Sequence, residues 1–129
     1  MSRDIKTPGP DHPITITSSG DHVVVRSGEA TIADSRSTLV LQEANYPPVR
    51  YIPLADVDRS QLAASALTTY CPYKGDASYY AITPGAERGT DAVWFYDDPY
   101  PAVAEIKGHV AFYPDRVELS VEGPAGAAD

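Results

Sequence analysis

One cysteine, one tryptophan, one methionine and three lysines (Lys6, Lys74 and Lys107) are all that this 129-residue chain has of those types. A single cysteine makes neither an internal disulfide nor a multi-cysteine zinc site, so any core must come from packing. No apolar run approaches the roughly 20 residues of a membrane helix. The first 13 residues carry charges with no apolar stretch behind them, which is not a secretory signal, and the cytoplasm is the expected address. Clusters of cations are lacking too: 10 Lys and Arg stand against 18 Asp and Glu, a formal net charge of −8. Phosphate backbones are held by clustered Lys and Arg, so neither nucleic acid nor an anionic membrane is an expected partner. Phenylalanine, tyrosine and tryptophan are absent from the first 45 residues altogether.

What is present fits one domain. A chain of this size buries roughly two-thirds of its unfolded surface and needs no metal or disulfide to hold a core. Residues 1–13, with Pro8, Pro10, Pro13 and Gly9, read as an extended arm, residues 14–122 as the domain, and residues 123–129 as a flexible tail. Ile14 and Ile16 alternate with threonines, and β-branched or apolar stretches follow at 22–26, 30–34 and 37–43 with turn residues between them. Such spacing predicts an antiparallel meander. Three prolines bar a helix over residues 45–53. Residues 56–66 read as a short helix, capped by Asp56 or Asp58, with Leu62, Ala63 and Ala66 on one side. Extended stretches are expected at 68–73, 78–83, 109–113 and 117–121, and one or two helical turns at 102–106. Residues 84–89 read as a loop. Residues 92–96 are apolar on both faces, the mark of a strand covered on both sides. The expected fold class is mainly β: a single compact antiparallel β domain with one or two short helices.

All the aromatic residues lie between Tyr46 and Tyr113. Tyrosine joins apolar bulk to a polar tip, which suits a pocket for a small polar ligand as well as it suits an ordinary core. The densest stretch is Thr69-Tyr70-Cys71-Pro72-Tyr73-Lys74-Gly75-Asp76. Strand alternation puts Thr69, Cys71 and Tyr73 on one face. Lys74, three residues on, would raise the thiolate fraction of Cys71. Cys71 is therefore a weak candidate nucleophile, weighed against a small buried hydrophobe, and no histidine is near it in sequence. Lys74 beside Gly75 could present a charge to an anion, although a solvated turn lysine is the ordinary reading. Glu43 shares a strand face with Leu39 and Leu41, an odd place for a carboxylate unless it lines a cleft. A position past the strand end is the simpler account. Arg36, at the other end of that strand, is a second polar candidate. Asp97 and Asp98 read as solvated turn charges, and His12, His22 and His109 have no metal-ligand spacing.

The stretches Tyr46-Pro47-Pro48-Val49-Arg50-Tyr51-Ile52-Pro53, Cys71-Pro72-Tyr73-Lys74-Gly75, Trp94-Phe95-Tyr96-Asp97-Asp98-Pro99 and Val110-Ala111-Phe112-Tyr113-Pro114 together resemble the family called domain of unknown function 427, over residues 12–117. The resemblance implies a β-tent-like architecture, similar to that of zinc-knuckle proteins, methionine sulfoxide reductase B and the thalidomide-binding domain of cereblon. This sequence lacks the paired cysteines of the zinc-bearing relatives, so neither metal nor cofactor is expected. The nucleotidyltransferase suggestion sometimes attached to the family finds no glycine-serine pair with following aspartates and no basic phosphate cradle here. By analogy with β-tent ligand cages, Tyr51, Tyr73, Lys74, Trp94 and Tyr96 form the expected site.

The functional expectation is a domain that binds a small polar or anionic molecule in an aromatic-lined pocket, with Lys74 as anchor and Arg36 and Glu43 as secondary contacts. The alternatives are a protein-interaction module built on exposed tyrosines and a low-turnover enzyme using Cys71. A monomer or weak homodimer is expected, since open sheets risk edge pairing.

Overall fold

Short alternating segments separated by turns leave the backbone only one way to satisfy its polar groups, namely ladders between strands. The computed structural model describes residues 6–83 and 90–123. Its strands are β1 (Ile14–Ser19), β2 (His22–Ser27), β3 (Ala30–Ser35), β4 (Thr38–Glu43), β5 (Val49–Pro53), β6 (Leu62–Cys71), β7 (Gly75–Ile82), β8 (Val93–Phe95), β9 (His109–Phe112) and β10 (Glu118–Glu122). They form a seven-stranded sheet, ordered β1-β4-β5-β9-β8-β7-β6, and a three-stranded sheet, ordered β10-β2-β3. Every strand pair is antiparallel. The mainly β class is as expected. The loop expected at 84–89 lies outside the described residues.

The first four strands are not the simple meander that their spacing predicts. β1 pairs with β4, from Ile14 opposite Glu43 to Ser19 opposite Thr38, while the β2–β3 hairpin leaves for the second sheet. The reason is burial. Val23, Val25, Ile32 and Ala33 are at most 2% exposed, and they are covered only because the hairpin lies over the large sheet. There they join Ile52, Val93, Val110 and Phe112 in one apolar cluster.

The helix expected over residues 56–66 is also absent. In its place are two single 3₁₀ turns, Leu54–Asp56 and Arg59–Gln61, followed by β6. The cap was legible: the Asp58 side chain accepts a hydrogen bond from the Ser60 backbone N–H at 3.2 Å. Propagation fails at Leu62, whose backbone turns extended (φ −114°, ψ 147°) so that Leu62 pairs with Ile82 and Ala63 with Ala81. A helix this short is marginal alone, and ladder bonds to β7 override alanine's helical preference.

The expectation for residues 92–96 holds. Val93 lies opposite Phe112 on the face toward the small sheet, while Trp94, opposite Ala111, belongs to the other face. A second cluster forms on that other face around Leu41, Tyr51, Tyr79, Tyr96 and Ala111. It also takes in Val103 and Ile106, both fully buried, from the 3₁₀ segment Pro101–Ile106. Among the described residues no helix is long and apolar enough to cross a membrane.

Candidate ligand cavity

Period-2 alternation selects the residues that meet on the second face. Leu39, Leu41 and Glu43 share one side of β4, and Val49 and Tyr51 one side of β5. On β7, Tyr79 stands opposite Trp94 of β8, and Tyr96 continues the Trp94 side one step past the strand. The β6–β7 connection then brings in Lys74. Its backbone is pinned at both ends: the Lys74 N–H donates to the Cys71 carbonyl at 3.2 Å, and the Tyr100 N–H donates to the Lys74 carbonyl at 3.0 Å. Gly75 completes the turn at φ +112°, a conformation that L side chains rarely adopt.

Together these residues enclose a cavity of about 220 Å³, with Tyr46, Pro47 and Tyr113 completing the wall. Drug-sized sites run from about 300 to 1,000 Å³, so this one takes a smaller occupant. Within it, the Lys74 ammonium donates to Glu43 Oε1 at 2.5 Å and lies 3.5 Å from Cys71 Sγ. On the opposite side of the carboxylate, His12 Nε2 donates to Glu43 Oε2 at 2.7 Å. A continuous chain of contacts thus runs Cys71–Lys74–Glu43–His12. His12 is held by its own arm: its ring stacks on Tyr73 with centroids 4.1 Å apart, the Lys6 N–H donates to the Pro72 carbonyl at 2.9 Å, and the Ala44 N–H donates to the Pro13 carbonyl at 2.8 Å.

These contacts set the protonation states. Burial alone would raise the Glu43 carboxyl, but the hydrogen bonds and charges of Lys74 and His12 outweigh it and hold the group below its ordinary value. Tyr51 and Tyr96 are pushed far above the usual phenol range, first by burial, with the Glu43 carboxylate adding to it. Tyr113 is pushed up to about 12 by burial and by its hydrogen bond with Tyr79. At neutral pH the cavity therefore holds an ion pair ringed by neutral phenols. Among the described residues no group of three or more His, Cys, Asp and Glu side chains is arranged to hold a metal ion.

Of the residues expected at the site, Tyr51, Lys74, Trp94, Tyr96 and Glu43 line the cavity together. Tyr73 does not line it, because strand alternation ends at Cys71 and the ring packs on His12 instead. Arg36 is exposed in the β3–β4 connection, and the six-residue β4, roughly 20 Å of extended chain, separates it from Glu43. Glu43 is not past the strand end: it is the last residue of β4, and its side chain is only 16% exposed. Nor is Lys74 a solvated turn residue, at 8% exposure. Asp97 and Asp98 are exposed, as expected for a turn.

The sequence reading missed Tyr79, Tyr113 and His12. The first two had a signal, since Tyr79 alternates with the buried Ala77 and Tyr113 with the buried Ala111. His12 had none, because it reaches Glu43 across 31 positions of chain. A family model described as a domain of unknown function (DUF427) matches residues 15–123. No curated protein matches the chain.

Proposed function

The chain belongs to the DUF427 family, and we propose that it binds a small polar molecule in the cavity walled by Tyr51, Trp94, Tyr96 and Tyr113. Lys74 is the charged contact and Glu43 holds it in place. One observation carries this reading. The Tyr96 side chain is only 7% exposed and lines the cavity, yet its hydroxyl has no hydrogen-bond partner among the described residues. That hydroxyl therefore opens on the cavity, since no fully buried side-chain nitrogen or oxygen lacks a partner among the described residues, and a bound molecule would supply one.

The test is a thermal-shift screen of a metabolite panel on the wild type and on Lys74→Met in parallel. A ligand at about 100 times its Kd adds roughly 2.7 kcal/mol, which moves the midpoint by several degrees in a domain of this size. Trp94, the only tryptophan, reports each hit by its fluorescence. A hit on the wild type that is weakened in Lys74→Met supports the reading. Silence across a broad panel with both proteins folded overturns it and favours the interaction module.

A Cys71-centred activity is a second reading, favoured by the Lys74 ammonium 3.5 Å from Sγ and by the carboxylate that orients that ammonium. Nucleophile, neighbouring group and orienting residue is the order that covalent catalysis uses. Iodoacetamide labelling that spares Cys71 in the native protein overturns it.

A further inference from the structure

The hydrogen-bonding groups of the cavity are out of balance. Its acceptors are engaged: Glu43 takes Lys74 on one oxygen and His12 on the other. Tyr79 and Tyr113 bond to one another, and Tyr79 also meets Thr69 Oγ1 at 3.0 Å. Donors are left over. The Tyr51 hydroxyl accepts from Trp94 Nε1 at 3.3 Å, but its own hydrogen has no acceptor among the described residues, and Tyr51 is 1% exposed. The Tyr96 hydroxyl has no partner at all there. Lys74 has three N–H groups, of which Glu43 and Cys71 take two. An occupant that completes these bonds must bring a hydrogen-bond acceptor.

The charge of the site narrows the choice further. The Lys74 ammonium is already neutralised by Glu43, so an incoming anion finds no uncompensated cation to pair with. It would also stand beside the Glu43 carboxylate inside a largely buried wall, where an unpaired charge is costly. The upward displacement of Tyr51 and Tyr96 agrees, since both phenols feel the Glu43 carboxylate in addition to burial.

We infer that the occupant is an uncharged carbonyl compound whose oxygen accepts from Tyr96, with Tyr51 and Lys74 as the neighbouring donors. This rests on the cavity reading above and specifies the ligand class. The anion expected from the turn lysine in the sequence is displaced by the carboxylate that Glu43 already provides. Tyr96 is then the residue that selects for an acceptor.

The probes are 3-methylbutan-2-one and isobutyrate, which match in shape, bring acceptors only and differ in charge at neutral pH. Binding is read by saturation-transfer NMR and by Trp94 fluorescence on the full chain. The ketone binds about tenfold or more tightly than the carboxylate, and Tyr96→Phe weakens it about five- to tenfold, as loss of one hydrogen bond does. Circular dichroism verifies that the variant is folded, and Tyr80→Phe, on the opposite face of the sheet beside Phe95, serves as the control. Equal or tighter binding of the carboxylate overturns the inference while leaving the cavity reading intact. Unchanged ketone affinity in Tyr96→Phe overturns it as well. No response to either probe up to its solubility also overturns the carbonyl class, and the metabolite panel then decides the cavity reading separately.

Discussion

The two faces of the seven-stranded sheet are built from alternate residues of the same strands, yet they differ in kind. The face toward the three-stranded sheet carries Ile52, Val93 and Val110, each fully buried, with Phe112 beside them, and it packs on Val23, Val25 and Ile32 of that smaller sheet. Branched aliphatic side chains from two sheets interlock and leave little void. On the opposite face Tyr51, Tyr79, Tyr96, Trp94 and Tyr113 are the bulk of the packing, and only the short segment Pro101–Ile106 adds apolar cover. Rigid rings with polar tips do not interdigitate as aliphatic chains do, and a 220 Å³ hollow remains between them. The comparison teaches a division of labour. One face holds the fold, which leaves the other free to keep a cavity with an ion pair and open donors.

The largest expected effect comes from breaking the sealed face. Ile52→Ala removes a fully buried side chain from the centre of the aliphatic cluster. It should cost about 2–5 kcal/mol, the ordinary range for Ile-to-Ala truncation in a core. Urea denaturation with an unchanged m-value is the measurement. A loss below about 1 kcal/mol, outside the usual range for such a truncation, would mean that this face is not where stability resides.

A smaller effect should follow from Lys74→Met on the cavity face. The substitution keeps the apolar stem but removes the strongest partner of Glu43, so a loss of about 1–3 kcal/mol is expected at pH 7. His12 remains on the other carboxylate oxygen and limits the damage. The pH dependence sharpens the assignment. Glu43 has a lowered pKa in the folded protein, so its contribution is present above its ordinary value of 4.5 and is lost as pH falls through the folded value. Thermal midpoints taken on descent through pH 4.5 should therefore drop less steeply in Lys74→Met than in the wild type. Parallel curves would remove Lys74 as the cause of the Glu43 shift.

Much of this contrast was legible in the chain, and the part that was not has identifiable reasons. Period-2 alternation is local, so it located most of the strands and predicted that Trp94 and Tyr96 share a side. It could not say that the β2–β3 hairpin crosses to a second sheet, because that choice depends on what the large sheet needs covered. The failed helix at 56–66 has the same origin: the cap at Asp58 is a local feature and is present, whereas the ladder with β7 is remote and wins. Glu43 was the informative oddity. A carboxylate in register with Leu39 and Leu41 reads as an error of strand length until a cation and an imidazole, each 31 positions away, are seen to meet it. Tyr73 failed for the opposite reason, since alternation was carried one turn beyond the end of β6.

The smallest expected effect on stability is the most telling about function. Tyr96→Phe deletes one hydroxyl from a residue that is 7% exposed. If that hydroxyl stabilised the fold through a hydrogen bond, its loss would cost roughly 1 kcal/mol or more. No partner for it exists among the described residues, so there is no bond to lose. The hydroxyl is not sealed from solvent either, because no fully buried side-chain oxygen lacks a partner among the described residues, so the variant should be within about 0.5 kcal/mol of the wild type. The ring and its packing against the Tyr51 and Tyr79 cluster are retained. Equilibrium urea curves of the two proteins, measured without ligand, decide it. A clear loss would show that the hydroxyl serves the fold, and the two faces would then differ in composition but not in purpose. A neutral result separates them, because a donor that opens on a cavity and adds nothing to stability is what a binding face requires and a packing face does not.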